Sequence, residues 1–278
     1  MNIDGNTRLV GILANPIGHV RTPQLFNASA ARQGLNATCI PCHVMDADLD
    51  AFIAGIPAMS NFLGMAVTIP YKERVVSACS ELNESARQAG SVNAMRYDRE
   101  KRVWVGGNFD GEGFVGGMHE RGHSLEGKRV LLLGAGGAAK PIAFAVARER
   151  PAELVICNRS NERAVELVEN VHQAIPDVAI TTGAADASRF DVVINATSLG
   201  LRDSDPLPVP AETLNPQTLV CEAVIREGDT RLLAEARKRS CSVHHGQYML
   251  YGQIVQIARF VGIPLESRYV ERILGPHN

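Results

Sequence analysis

The sequence predicts an α/β fold of two units, on three observations. Short apolar runs alternate with amphipathic segments along all 278 residues, the rhythm of strands and helices in a largely parallel sheet. The length allows roughly two domains at about 150 residues each. Near the middle of the chain, residues 134–137 form a glycine-rich turn between an apolar run and a helical pattern. A formal net charge of −2 leaves no single-sign field to recruit nucleic acid or an anionic membrane, so a small-molecule partner is expected. Aromatic residues at 5% are too sparse for a base-stacking platform.

In order, Arg8–Leu13 is strand-like, and Pro23–Gln33 helical with Pro at its start and Gly34 at its end. Ala37–Val44 is a strand, Leu49–Met59 a helix and Leu63–Thr68 a buried strand. Tyr71–Cys79 is predicted helical, opened by Pro70, and Ser91–Tyr97 with Val103–Gly107 a strand pair. A helix follows from Asp110 to about Gly122, then a turn at 125–128. The pattern then sharpens: strand Arg129–Leu133, helix Ala138–Arg148, strand Glu153–Cys157, helix Glu162–Ala174, strand Asp191–Asn195. Four prolines mark 206–216 as a loop. Gln217–Val224 and Ser240–His244 read as strands around the helix Thr230–Arg239, and Tyr248–Val261 and Glu266–Leu274 as closing helices. The boundary between the units is expected at 109/110.

Gly134-Ala135-Gly136-Gly137-Ala138-Ala139 is a G-x-G-x-x-A string set between a strand and a helix. The first glycine permits the tight turn, the second lets backbone approach a pyrophosphate, and the helix N-terminus offers unpaired N–H groups. This predicts a Rossmann-type dinucleotide-binding unit. The next strand ends in Asn158-Arg159-Ser160 with Arg163 one turn later. A carboxylate there would select NAD; two guanidinium groups suit a 2′-phosphate and point to NADP. Thr197 and Ser198, after the third strand, lie where the nicotinamide end of the cofactor should extend. Hydride transfer to or from a secondary alcohol also needs a proton-transfer group. Lys72, just past a strand, and Asp110, at the domain junction facing the expected cleft, are the candidates.

These strings together resemble the shikimate dehydrogenases over nearly the whole chain. The likeness is carried by Asn15-Pro16-Ile17-Gly18-His19, Val67-Thr68-Ile69-Pro70-Tyr71-Lys72-Glu73 and Ala89-Gly90-Ser91-Val92-Asn93. It continues through Gly106 to Gly113, the glycine turn, Asn158-Arg159-Ser160, Asn195-Ala196-Thr197-Ser198, and Met249-Leu250 with Gln253. The resemblance implies an N-terminal α/β substrate domain (1–109, completed by C-terminal helices in 246–278), a Rossmann domain (110–245) and a cleft between them. It implies Lys72 and Asp110 as the catalytic pair, with Thr22, Thr68, Asn93 and Gln253 binding substrate. Arg159 and Arg163 are implied as the 2′-phosphate clamp, and Gly246 joins the cofactor-binding set. The expected reaction interconverts 3-dehydroshikimate and shikimate, or a related cyclic hydroxy acid such as quinate, in a monomer or homodimer. The alternative is an NADP-binding sensor with a decayed active site.

Four departures from the family pattern bear on substrate recognition. Its S-x-S carboxylate contact is here Val20-Arg21-Thr22, leaving one hydroxyl of two. Its Asn before V-T-x-P is Ala66, its N-T-D is Asn108-Phe109-Asp110, and its D-x-x-Y is Glu222-Ala223-Val224-Ile225. Two other strings are set aside. Cys39-Ile40-Pro41-Cys42-His43 matches redox and haem-attachment patterns, but falls on a strand, where residues three apart face opposite sides. His244-His245 lacks further ligands at metal spacing, so no metal is expected. Met1–Leu9 carries Asp4 and no continuous apolar run, and 130–147 is broken by glycines and Lys140-Pro141. With six cysteines read as reduced thiols, a cytoplasmic protein is expected.

Overall fold

Short, largely apolar runs form the strands of two six-stranded sheets. The computed structural model describes residues 3–18, 20–226 and 228–271. The chain divides into one unit of residues up to Phe109 together with those from Gln253 on, and a second spanning Asp110–Gly252.

In the first unit, β1 (Arg8–Ala14), β2 (Ala37–His43) and β3 (Phe62–Val67) pair in parallel. β4 (Cys79–Leu82), β5 (Ala94–Asp98) and β6 (Val103–Gly107) complete the order β2-β1-β3-β5-β6-β4. β5 is antiparallel to both β3 and β6, so the sheet is mixed. α1 (Thr22–Gln33) has Pro near its start and ends at Gly34 in the left-handed conformation (φ 72°) that favours glycine. α2 (Leu49–Gly55) passes into a 3₁₀ turn at Ile56–Ala58, where Pro57 interrupts the predicted longer helix.

Tyr71–Cys79 departs from expectation. Only Arg74–Ala78 is helical, as 3₁₀, and Cys79 already begins β4. Val75 and Val76 are β-branched and poor helix formers, while residues 79–82 pair with β6 at the sheet edge. α3 (Glu84–Ala89) escaped the sequence reading although Asn83 caps it, accepting from the Ala86 N–H at 2.8 Å.

The second unit runs α4 (Asp110–Glu120), β7 (Arg129–Leu133), α5 (Ala139–Arg148), β8 (Glu153–Cys157), α6 (Asn161–Ala174), β9 (Ile180–Thr182) and β10 (Val192–Asn195). β11 (Leu219–Glu222), α7 (Arg231–Lys238) and β12 (Ser242–His244) follow. Every pairing is parallel, in the order β12-β11-β10-β7-β8-β9. This is the doubly wound order whose direction reverses between β7 and β10. Both faces are buried. Val130 and Leu132 of β7 join one apolar cluster with α4 and α5, and Leu131 and Leu133 join another with α7. Each such leucine contributes about 1.5–3 kcal/mol. The short strand β9 was not foreseen; its three residues carry too weak an apolar signal.

α8 (Gln247–Phe260) contains the division between the units, and α9 (Ser267–Glu271) follows it. Of the predicted helix Glu266–Leu274, residues 272–274 lie outside those described. A Cβ on Gly252 would stand 2.5 Å from the Gly113 carbonyl oxygen, so the second unit's first and last segments touch. In the first unit Gln33 Nε2 donates to the Pro264 carbonyl at 2.7 Å, and the Glu266 N–H donates to Gln33 Oε1 at 3.1 Å, tying the C-terminal segment to α1.

Candidate active site

In the first unit the substrate-side residues gather at one end of the sheet. β1 and β3 run in parallel, with Leu13 beside Val67, so their carboxyl ends emerge together. The first leads to Thr22 at the start of α1 and the second to Thr68 and Lys72. Ala94, the first residue of antiparallel β5, is paired with Ala66, which brings Asn93 to the same end. The polypeptide there is closely tied. The Thr68 N–H donates to the Leu13 carbonyl at 3.0 Å, Val67 N–H to the Asn93 carbonyl at 2.8 Å, and Val92 N–H to the Lys72 carbonyl at 2.8 Å. Asn93 Oδ1 accepts from the Phe109 N–H at 2.9 Å. Thr22, Thr68 and Lys72 are half-buried and Asn93 is buried.

Lys72 sits in a turn rather than at a helix start as expected, and Tyr71 holds that turn. The Tyr71 ring is buried, with its hydroxyl 2.7 Å from the Val44 carbonyl oxygen and 2.8 Å from Asp46 Oδ1. Burial, with Asp46 adding to it, pushes the phenol up. Sequence reasoning passed over Tyr71, because a tyrosine among turn residues carries no periodic signal.

The departures from the family pattern have visible consequences in this unit. Phe109 is buried against Phe260, ring centroids 5.2 Å apart, and its ring fills the space a side chain at Gly107 would need. Ala66 is buried within β3 and Arg21 is exposed. Gln253 is half-buried on α8.

The second unit brings its predicted residues to the carboxyl ends of its parallel strands, with Asp110 buried as the first residue of α4. Gly134 has φ 114°, and a Cβ there would lie 2.9 Å from the Ala196 carbonyl oxygen, so the fold itself demands glycine. Gly136 and Gly137 differ: a Cβ on either meets nothing within 4 Å and both are exposed. What the last two glycines leave open is backbone approachable from outside at the start of α5, which fits a pyrophosphate. Ala135 is buried and Ala138 half-buried.

At the tip of β8, Asn158 Nδ2 donates to the Ser160 carbonyl at 2.9 Å, and Ser160 caps α6. Ser160 Oγ donates to Glu162 Oε2 at 2.7 Å, a contact the sequence did not suggest. Arg159 and Arg163 are exposed beside it, the charge a 2′-phosphate requires. After β10, Asn195 Oδ1 accepts from both the Thr197 N–H (3.1 Å) and its hydroxyl (2.7 Å), while Ser198 is exposed. Gly246 is buried against the Val224 carbonyl, where a Cβ would collide.

Of the strings set aside, Cys39 and Cys42 are both buried on β2. Burial pushes the Cys39 thiol up to about 12, which removes the reactive thiolate a redox pair needs. His244 is buried, its ring in contact with those of Phe114, His123 and Tyr248, and neither ring nitrogen has a hydrogen-bond partner. Burial holds its pKa down to about 3.

A doubly wound parallel sheet with an open glycine turn, joined in one chain to a mixed α/β unit, places the chain among the dinucleotide-binding α/β proteins. Residues 12–95 match the shikimate dehydrogenase substrate binding domain and residues 118–201 the shikimate / quinate 5-dehydrogenase family. A shikimate dehydrogenase (NADP(+)) from Rubrobacter xylanophilus is 40% identical over 98% of this chain and 97% of its own. Among solved structures, shikimate 5-dehydrogenase from Listeria monocytogenes, in complex with shikimate and NAD, superposes with TM-score 0.88 at 27% identity, covering 99% of each chain. The ligand-free 5-ketofructose reductase of a Gluconobacter strain does so with TM-score 0.85 at 29% identity, over 95% of this chain and 96% of that one. The chain belongs to the shikimate dehydrogenase family.

Proposed function

We propose that this chain is an NADP-dependent oxidoreductase that interconverts 3-dehydroshikimate and shikimate or a closely related cyclic hydroxy acid. The observation that carries this is the gathering of Thr22, Thr68, Lys72 and Asn93 at one end of the first sheet. Within one unit, four side chains able to hydrogen-bond a polyhydroxylated ring follow adjacent strands: Thr68 and Lys72 after β3, Asn93 before β5, and Thr22 at the start of the helix after β1. Thr68, Asn93 and Gln253 bind ring hydroxyls, and Thr22 takes the carboxylate. Lys72 and Asp110 handle the proton of the hydroxyl that is oxidised. NADP, when bound, supplies or takes up the hydride. Gly134 to Ala138, Asn158 to Ser160, Thr197, Ser198 and Gly246 line its place, with Arg159 and Arg163 on the 2′-phosphate.

Shikimate or quinate supplied with NADP or NAD, followed at the reduced-nicotinamide absorbance, tests the reading. The expected result is turnover with NADP exceeding that with NAD. Cofactor binding without turnover on any polyol acid would instead identify a sensor. A second reading, reduction of a neutral polyhydroxy ketone, is favoured by Val20, which cannot donate to a carboxylate. One solved relative is named as a 5-ketofructose reductase. Val20→Ser separates the two: on the first reading it improves the KM for shikimate by about tenfold or more, the worth of one hydrogen bond to a charged group. On the second reading shikimate remains inert.

The six cysteines are all free thiols, in keeping with a reducing cytoplasm. Among the described residues no helix is long and apolar enough to cross a membrane. We assign a small-molecule partner and a monomeric or homodimeric state.

A further inference from the structure

The loop after β10 is held from beneath by a carboxylate that the proposed chemistry does not use. Glu222, the last residue of β11, is fully buried. Its Oε2 accepts from Asn195 Nδ2 at 2.9 Å and its Oε1 from the Thr230 hydroxyl at 2.6 Å. The Val224 N–H also points to this carboxylate. Asn195 is the relay. Its second amide proton goes to the Leu199 carbonyl at 2.9 Å, and its Oδ1 takes both Thr197 donors. Thr197 Oγ1 in turn accepts from the Leu199 N–H at 3.1 Å. Gly200, at φ 105°, packs beside this cluster, where a Cβ would sit 3.4 Å from the Thr230 side chain and 3.7 Å from Glu222 Oε1.

We propose that Glu222 is a positioning residue whose ionised carboxylate fixes the 196–200 loop, so that dinucleotide affinity depends on its protonation. The inference rests on the dinucleotide reading of the second unit. The loop packs on the glycine turn: the Ala196 N–H donates to the Leu133 carbonyl at 2.9 Å, and the Ala196 carbonyl abuts Gly134. A shift in the loop is therefore a shift in the cofactor's seat.

Hydrogen-bond supply shows why ionisation matters. The Thr230 hydroxyl accepts from the Leu233 N–H at 3.2 Å as the cap of α7, leaving its proton for Glu222. Asn195 commits both amide protons. An ionised carboxylate accepts from all of these donors through its two oxygens; protonation turns one oxygen into a donor and loosens its hold on the loop, although burial favours that form. Among the described residues, these groups surround Glu222. The cation is Arg226, on the segment after β11, which donates to the Gly200 carbonyl at 3.2 Å and is paired with Asp203 at 2.9 Å. From the loop side comes Asp205, which accepts from the Gly200 and Arg202 N–H groups. Along β11 lies the Cys221 thiol, itself pushed up by burial. β10 and α7 contribute the neutral Asn195 and Thr230. Burial raises the Glu222 carboxyl to about 7, within reach of ordinary changes in pH.

The test is calorimetric titration of the full chain with NADP+ between pH 5.5 and 8.5, on the parent, Glu222→Gln and Thr197→Val. The 2′-phosphate titrates near pH 6 in all three and cancels in ratios between proteins. The parent is expected to lose about tenfold more affinity than Glu222→Gln between pH 8.5 and 6. Thr197→Val, which cuts the relay while leaving the carboxylate in place, is expected to show the same flattened profile. A purely structural role for Glu222 would change melting temperature without touching this ratio. Equal pH profiles for the parent and either variant overturn the inference. Failure of the parent to bind NADP+ at any pH removes the dinucleotide reading and this inference with it.

Discussion

The two units solve the same problem by different means. In the second, a wholly parallel sheet buried on both faces places its candidate cofactor-binding groups in turns at strand ends, where an open glycine turn exposes backbone. In the first, a mixed sheet presents side chains, each tied into place by neighbours such as Asn93 and Tyr71. Three of the four departures from the family pattern, Val20, Ala66 and Phe109, fall in the first unit. A site built from turn geometry depends on a few glycines and is indifferent to most other residues. One built from side-chain identity can be retuned one residue at a time.

The largest expected contrast is in stability against pH. His244 is a base whose folded pKa lies below its unfolded value. Its contribution is therefore present above about pH 6.5 and is lost as pH falls toward 3, a change on the order of 5 kcal/mol. Glu222 has the opposite sign. Its raised value makes the protonated form the stabilising one, fully so below 4.5, and about 3 kcal/mol is lost as pH climbs through 7. Both groups lie in the second unit. Thermal melts of the parent and of His244→Phe from pH 3 to 8 should show the acid loss in the parent and a flatter acid limb in the variant. Parallel curves would remove the distinction.

Next in size, Lys72→Ala should lower kcat by about 10²–10⁴-fold, the range of a general acid–base group, with NADP+ affinity in the second unit unchanged. A matching fall in cofactor affinity would show that the first unit is not independently responsible for the chemistry. Arg159→Ala should raise the KM for NADP about 10–100-fold and leave that for NAD within a factor of two, since only the former carries the 2′-phosphate.

The finest test lies inside the glycine turn. Gly134→Ala is strained by its positive φ and by Ala196, and should cost about 1–3 kcal/mol of stability. Gly136→Ala, facing open space, should cost little stability and weaken NADP+ binding alone. Melting temperature and affinity measured on both variants separate a glycine the fold needs from one the ligand needs.

How far the sequence revealed this follows the same division. The second unit was legible almost element by element, because parallel strands buried on both faces read as unbroken apolar runs with glycine or polar residues at their ends. Its one missed strand, β9, is three residues at an edge. In the first unit, residues 71–79 were misread because a helical spacing of apolar residues was satisfied by a turn, a 3₁₀ segment and a strand in succession. The Tyr71 anchor and the Glu222 relay left no trace in the pattern. Each depends on partners tens of residues away in the chain, Val44 and Asp46 for one and Asn195 for the other, and periodicity reports only on near neighbours.

The meeting of Gly113 and Gly252 has a consequence for how this polypeptide can be rearranged. The stretch from Asp110 to Gly252 starts and finishes close together, so it is a cassette spliced into its host sequence rather than a bead appended to it. Bridging those two ends with a short linker and opening the exposed 176–177 turn would give a circular permutant that retains the doubly wound sheet.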